Sequence, residues 1–123
     1  MPESISTSLA QLNLSTQRQK QAISEGIARH QTQIEIYRQK IRNYDSRIAE
    51  IRRNLWTNWP KDKDRKDYEA ECRKDTLRLE QERDEIKKKI LTEEKLIRDR
   101  KREEEKINRI LERANAAIEK ANK

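Results

Sequence analysis

Residues 23–55 read ISEGIARHQTQIEIYRQKIRNYDSRIAEIRRNL, and the spacing of apolar residues in this stretch decides the fold. Steps of four and three residues alternate along it without interruption. The ten positions reached in this way are Ile23, Ile27, His30, Ile34, Tyr37, Ile41, Tyr44, Ile48, Ile51 and Leu55. All of them except His30 are apolar or aromatic. Such a seven-residue repeat predicts an α-helix that packs along one narrow apolar seam, as in a left-handed coiled coil.

The composition suits a seam better than a broad hydrophobic core. Of the 123 residues, 43% are charged, 32% are hydrophobic and none is Phe, whereas about 25% charged residues is typical of globular domains. A highly charged chain with few apolar residues can also be disordered. However, the sequence holds one Gly and two Pro, and its apolar residues are regularly spaced. Both observations favour long helices.

Breaks in the pattern divide the chain into helices. Pro60 ends the first long helix, because proline lacks a backbone N–H and pushes the preceding residue out of helical geometry. Upstream, Thr16 and Gln19 have the spacing of a capping box, which predicts a helix start near Ser15. A single unit of 123 residues is therefore predicted, with a short N-terminal helix at 4–14, helix 1 at 16–57, a turn at 58–61 and helix 2 at 62–121.

Helix 2 continues the seam with more interruptions. Nine of its fourteen seam positions between Thr76 and Ala121 are apolar, and a charged run at 98–106 separates two apolar parts. If the chain turns back at Trp59-Pro60, Ile34 faces residues 83–86 and the charged run faces the polar stretch 11–19. This match favours an intramolecular hairpin over a parallel dimer of bent helices. The predicted fold is all-α: an elongated antiparallel helical hairpin with a coiled-coil seam and a short N-terminal helix, forming an oligomer.

The C-terminal part of helix 2 is apolar over a wider face than two helices need. Leu96, Ile110 and Ala117 form a second apolar line beside the seam, at seven-residue multiples. A third or fourth helix would use such a face. The residues predicted to mediate self-association are Leu96, Ile107, Ile110, Leu111, Ala114, Ala117 and Ile118.

Both tryptophans of the protein lie at the predicted turn. Trp is enriched in binding hot spots, so the hairpin tip is a candidate contact site for a protein partner. Alternatively, the indole rings cover the end of the seam. The predicted partner-binding residues of the tip are Trp56, Trp59, Arg52, Arg53, Lys61 and Arg65.

The net charge of +7 makes nucleic acid the alternative partner. Helix 1 has a basic side, and aromatic and basic residues at the tip could contact bases and phosphates. Acidic residues are interleaved with most of the basic ones, however, which is more typical of a solvated, ion-paired helix surface. The basic side of helix 1 consists of Arg38, Lys40, Arg42, Arg47, Arg52 and Arg53.

The residues of the chain do not form a catalytic pattern. One His and one Cys exclude the common zinc motifs and leave no nucleophile–base pair in the expected register. We therefore predict no enzyme activity, cofactor or metal. The N-terminus lacks the pattern of a secretory signal, no stretch is apolar enough to span a membrane, and a lone Cys72 fits a reducing compartment. The sequence predicts a cytoplasmic assembly, adaptor or scaffold protein.

Overall fold

Two long α-helices make up the described structure and pack against each other. A computed structural model of the chain describes residues 2–57 and 64–122, with the side chains of residues 7–55, 57 and 64–122. Helix α1 is Pro2–Thr57 and helix α2 is Arg65–Ala121. They contain 56 and 57 residues. The predicted turn at 58–61 lies outside the described residues.

The two helices divide into two compact units, and each unit contains a segment of both helices. Unit 1 comprises Met1–Gln31 and Glu94–Lys123, and unit 2 comprises Thr32–Glu93. Within unit 2, Asp45 of α1 pairs with Arg83 of α2 at 3.0 Å. Further along α1, Arg52 pairs with Glu80, also at 3.0 Å. Because residue numbers rise along α1 as they fall along α2, the helices of this unit are antiparallel.

The buried residues follow the predicted seven-residue spacing. In α1, all ten positions of the repeat from Ile23 to Leu55 are buried or half-buried. In α2, the same holds for the repeat from Thr76 to Ile118, while Ala121 is exposed. The buried apolar side chains of unit 2 are Ile34, Ile48, Cys72, Leu79 and Ile86, and those of unit 1 are Ile23 and Ile97.

The structure corrects the predicted division of the N-terminal region. Residues 4–14 and 16–57 do not form separate helices, since α1 is continuous from Pro2. Thr16 does not cap a helix. Its hydroxyl donates a 2.7 Å hydrogen bond to the carbonyl oxygen of Leu12, four residues earlier, and the residue is buried. Threonine makes this bond inside a helix, so the capping-box spacing was misleading here.

Helix α2 begins later than the prediction at Asp62. Asp64 is not helical, and its carbonyl oxygen accepts the backbone hydrogen bond of Tyr68 at 3.0 Å. This is the position of an N-terminal cap residue. Asp67 follows in the first turn, where the partial positive charge of the helix terminus favours a carboxylate.

The predicted register between the helices is wrong. Arg83 lies beside Asp45, well beyond Ile34 along α1. Likewise, Arg100 of the charged run contacts Gly26 and His30 rather than residues 11–19. The prediction was counted from a tight turn at Trp59-Pro60. Since α1 ends at Thr57 and α2 begins at Arg65, the connection is longer and each α1 residue meets a later residue of α2.

Two leucines of α2 provide a matched test of the seam. Leu79 is 1% exposed and Leu77 is 56% exposed. We expect Leu79→Ala to lower the free energy of unfolding by about 2–4 kcal/mol, because it removes a fully packed side chain. Leu77→Ala should cost less than about 1 kcal/mol, since leucine and alanine are both strong helix formers. Urea unfolding followed by circular dichroism measures both, and equal losses would contradict the seam.

Candidate functional site

The predicted tip site is only partly covered by the described residues. Trp59, Lys61 and the side chain of Trp56 lie outside them. Of the basic tip residues, Arg52 pairs with Glu80 at 3.0 Å, and the Arg65 guanidinium pairs with Glu69 at 3.2 Å. Arg53 is exposed. The two ion pairs reduce the positive charge available to a phosphate at this end of the hairpin, and the contact role of the tryptophans remains a prediction.

The predicted self-association residues of unit 1 differ in exposure. The second apolar line is open: Ile110 is 59% exposed, Leu96 is 39% exposed and Ala117 is exposed. The seam residues beside it are only half-buried, namely Ile107, Leu111, Ala114 and Ile118. Helix α1 therefore leaves Ile110 and Ala117 exposed beside the half-buried seam residues at 107–118.

Unit 2 contains a groove that the sequence prediction did not identify. We call it the tyrosine groove. It has a volume of about 560 Å³ and lies along the seam. Helix α1 contributes Tyr37, Lys40, Asn43, Tyr44 and Arg47. Helix α2 contributes Glu82, Glu85, Ile86 and Lys89. The signal in the sequence was the pair of tyrosines at seam positions, where smaller aliphatic residues are more usual.

Polar contacts hold both tyrosines of the groove. The Tyr44 hydroxyl donates a hydrogen bond to the Glu82 carboxylate, and this contact raises the pKa of Tyr44 above its ordinary value. The Lys40 ammonium lies 5.9 Å from the centre of the Tyr37 ring, within the range of a cation–π interaction. On the α2 side, Lys88 donates to Glu85 at 3.1 Å. Both groove carboxylates are thus already bonded within the chain.

A polar contact also interrupts the seam of unit 1. Arg100 donates from Nε to the Nε2 atom of His30 at 3.3 Å. Its guanidinium lies over Gly26, where an added methyl would come within 2.6 Å of the Arg100 Cζ atom. The absence of a side chain at Gly26 therefore makes room for an arginine in an otherwise apolar seam. His30, predicted to be a seam residue, is half-buried there.

The described part of the chain contains neither a candidate metal site nor a candidate membrane-spanning helix. No group of three or more His, Cys, Asp or Glu side chains among those residues is arranged to hold a metal ion. Neither helix has a described stretch that is apolar and long enough to cross a bilayer. Cys72 is a buried free thiol of unit 2. Because this side chain is buried in the seam, Cys72 acts as a small apolar packing residue.

Comparisons of the chain with protein-family models, with curated proteins and with solved structures gave no match.

A double-mutant cycle tests the contact between Gly26 and Arg100. In an Arg100→Ala background, Gly26→Ala should stabilise the protein by about 1 kcal/mol, because alanine favours a helix over glycine by that amount. In the native background the gain should shrink or reverse, since the methyl displaces a guanidinium whose hydrogen bond is worth about 1 kcal/mol. Chemical unfolding of the four proteins measures the coupling. Identical effects of Gly26→Ala in both backgrounds would rule out the contact.

The Tyr44–Glu82 hydrogen bond predicts a pH effect. The folded state holds the phenolic proton more tightly than the unfolded chain does. The contact therefore stabilises the fold below the pKa of a free tyrosine, and its contribution is lost as the pH rises through the raised pKa of Tyr44.

Glu82→Gln should lower the pKa of Tyr44, because it removes the carboxylate that opposes ionisation. Tyr37→Phe and Tyr68→Phe leave Tyr44 as the sole tyrosine, so that its ultraviolet absorbance reports its ionisation. Glu85→Gln is the matched control, since Glu85 bonds to Lys88 instead. The assignment fails if the two glutamine variants shift the pKa of Tyr44 equally.

Proposed function

We propose that this chain is a non-enzymatic coiled-coil protein that assembles with itself and acts as an adaptor or scaffold for a protein partner. The observation that carries the proposal is the open second apolar line of unit 1, with Ile110 at 59% exposure. Contiguous exposed apolar surface is a recurring mark of interaction sites. A helix placed on it would also cover the half-buried seam residues alongside.

The incomplete burial of the C-terminal part of the unit 1 seam, beyond the buried Ile97, supports self-association. In unit 2, Leu79 and Ile86 are buried by α1 alone. In unit 1, Ile107 and Leu111 occupy equivalent seam positions and stay half-buried. Fully burying an aliphatic side chain contributes about 1.5–3 kcal/mol. A second copy that brings the same face can complete the burial on both chains, as in the two-fold interfaces common among helical oligomers.

A protein partner at the hairpin tip completes the proposal. Trp56 and Trp59 are the only tryptophans of the chain, and they lie three positions apart in the sequence. Tryptophan and arginine dominate binding hot spots between proteins. The lone thiol, Cys72, is buried and free, which fits action in the reducing cytoplasm.

Nucleic acid is the rival partner, and the exposed Arg47 and Arg53 of α1 favour it. Against it, Glu35 pairs with Arg42 at 3.3 Å and Glu80 pairs with Arg52. Neutralised arginines release fewer counterions from a nucleic acid. Binding to generic single-stranded and duplex DNA and RNA, measured over a range of salt concentrations, separates the two: useful affinity at physiological salt with a steep salt slope would favour the rival.

Self-association predicts a mass that rises with protein concentration. We expect sedimentation equilibrium of the native chain to show a species larger than a monomer at micromolar concentrations. Ile110→Asp should weaken the assembly about tenfold or more, because it places a charge in the apolar interface. Leu91→Asp is the matched control, since Leu91 is 63% exposed on α2 but belongs to unit 2. A strictly monomeric native chain, or equal weakening by both variants, would refute the proposed face.

A further inference from the structure

We propose that the tyrosine groove of unit 2 seats an acidic amphipathic helix of a protein partner. This rests on the proposed function in one respect, namely that the partner is a protein. It adds a second contact site, independent of the tip, and it states the chemistry of the segment that would bind there.

The shape of the groove fits a helix. A channel along two antiparallel helices is where a third helix packs in a helical bundle. From Tyr37 to Arg47 the α1 wall contains eleven residues and rises by about 15 Å, which is nearly three turns of a helical ligand. Ile86 is buried at the floor, and the half-buried rings of Tyr37 and Tyr44 can contact apolar residues of the incoming helix.

The charge of the groove selects an acidic ligand. Lys40 and Arg47 are exposed on one wall and Lys89 is exposed on the other. Three cations therefore line the groove against two carboxylates, Glu82 and Glu85. Since Glu85 also pairs with Lys88, which lies outside the lining, the groove keeps an excess of positive charge. Since Lys40 and Arg47 are seven residues apart, their attachment points are about 10.5 Å apart along α1. Acidic residues seven apart on a partner helix have the same spacing.

Neither nucleic acid nor a second copy of the chain matches the groove as well. Phosphates entering it would meet the Glu82 and Glu85 carboxylates, while a helix can place apolar residues there. The Tyr37 ring already carries the Lys40 ammonium near its face, which competes with stacking of a base. A second copy has 30 basic residues against 23 acidic ones, so its helices offer a poorer charge match to a basic wall.

The test uses the full chain and a phage-displayed library of helix-forming peptides about 20 residues long, equivalent to about 30 Å of helix. We expect the selected peptides to carry Asp or Glu at seven-residue spacing beside an apolar stripe. The double variant Lys40→Glu with Arg47→Glu should weaken their binding about tenfold or more, as measured by fluorescence anisotropy. Lys74→Glu with Arg78→Glu is the control, because both residues are exposed in unit 2 outside the groove and change the charge equally.

Three results would overturn the proposal. The selected peptides could lack the acidic pattern, or both double variants could weaken them equally. The groove variant could instead reduce binding to single-stranded RNA or the self-association of the chain, which would assign the groove to those ligands. If the groove variant loses its helical circular dichroism, the neutral pair Lys40→Gln with Arg47→Gln replaces it under the same criteria. Sedimentation of the native chain tests the proposed assembly separately, so the two ideas can fail independently.

Discussion

The narrow apolar seam between α1 and α2 is the constraint on which the other features depend. All the buried apolar side chains among the described residues lie on this seam. Long helices in water owe most of their stability to packing of an apolar face rather than to intrinsic propensity. A chain with 43% charged residues has little other apolar surface to bury. Each polar side chain that enters the seam must therefore bring a partner, and no buried side-chain nitrogen or oxygen of the described residues lacks one.

The polar members of the seam meet this requirement in different ways. Arg83 reaches out to the exposed Asp45, whose carboxylate raises the pKa of the guanidinium. Arg100 turns to His30 and lies over a glycine. Tyr44 keeps its ring in the seam and places its hydroxyl on Glu82. Such contacts contribute little net stability on a solvated surface. They join particular residues of the two helices, and one of these pairs, Tyr44 and Glu82, lines the tyrosine groove.

The sequence was informative about properties that depend on local spacing. The repeat from Ile23 to Leu55 identified the buried side of α1, because a helix brings residues three and four positions apart onto one face. The register was not predictable in this way. It depends on the length of the connection and on contacts such as Arg83–Asp45, which join residues far apart in sequence. The break predicted at Ser15 failed because a threonine hydroxyl can bond within a helix as well as at its start.

The candidate sites also differ in whether they depend on local spacing or on the register between the helices. The wide apolar face of α2 that includes Ile110 could be predicted by counting the apolar residues of one helix. The tyrosine groove did not, since it requires knowing that residues 82–89 of α2 lie beside residues 37–47 of α1. The sequence indicated only that two tyrosines occupied seam positions. Sites formed between two elements need the correct register, and a register counted from Pro60 places other residues of α2 against the tyrosines.

Gly26 has a consequence for how the chain finds its native pairing. A repetitive seam allows the two helices to pair in several slipped alignments, each displaced by seven residues and each burying a similar amount of apolar surface. Gly26 is the only glycine of the chain, so a slipped alignment would press the Arg100 side chain against a residue that has a Cβ atom. Misaligned pairings then lose both this space and the bond to His30. The glycine, unfavourable in a helix by itself, thereby favours the native alignment over slipped ones.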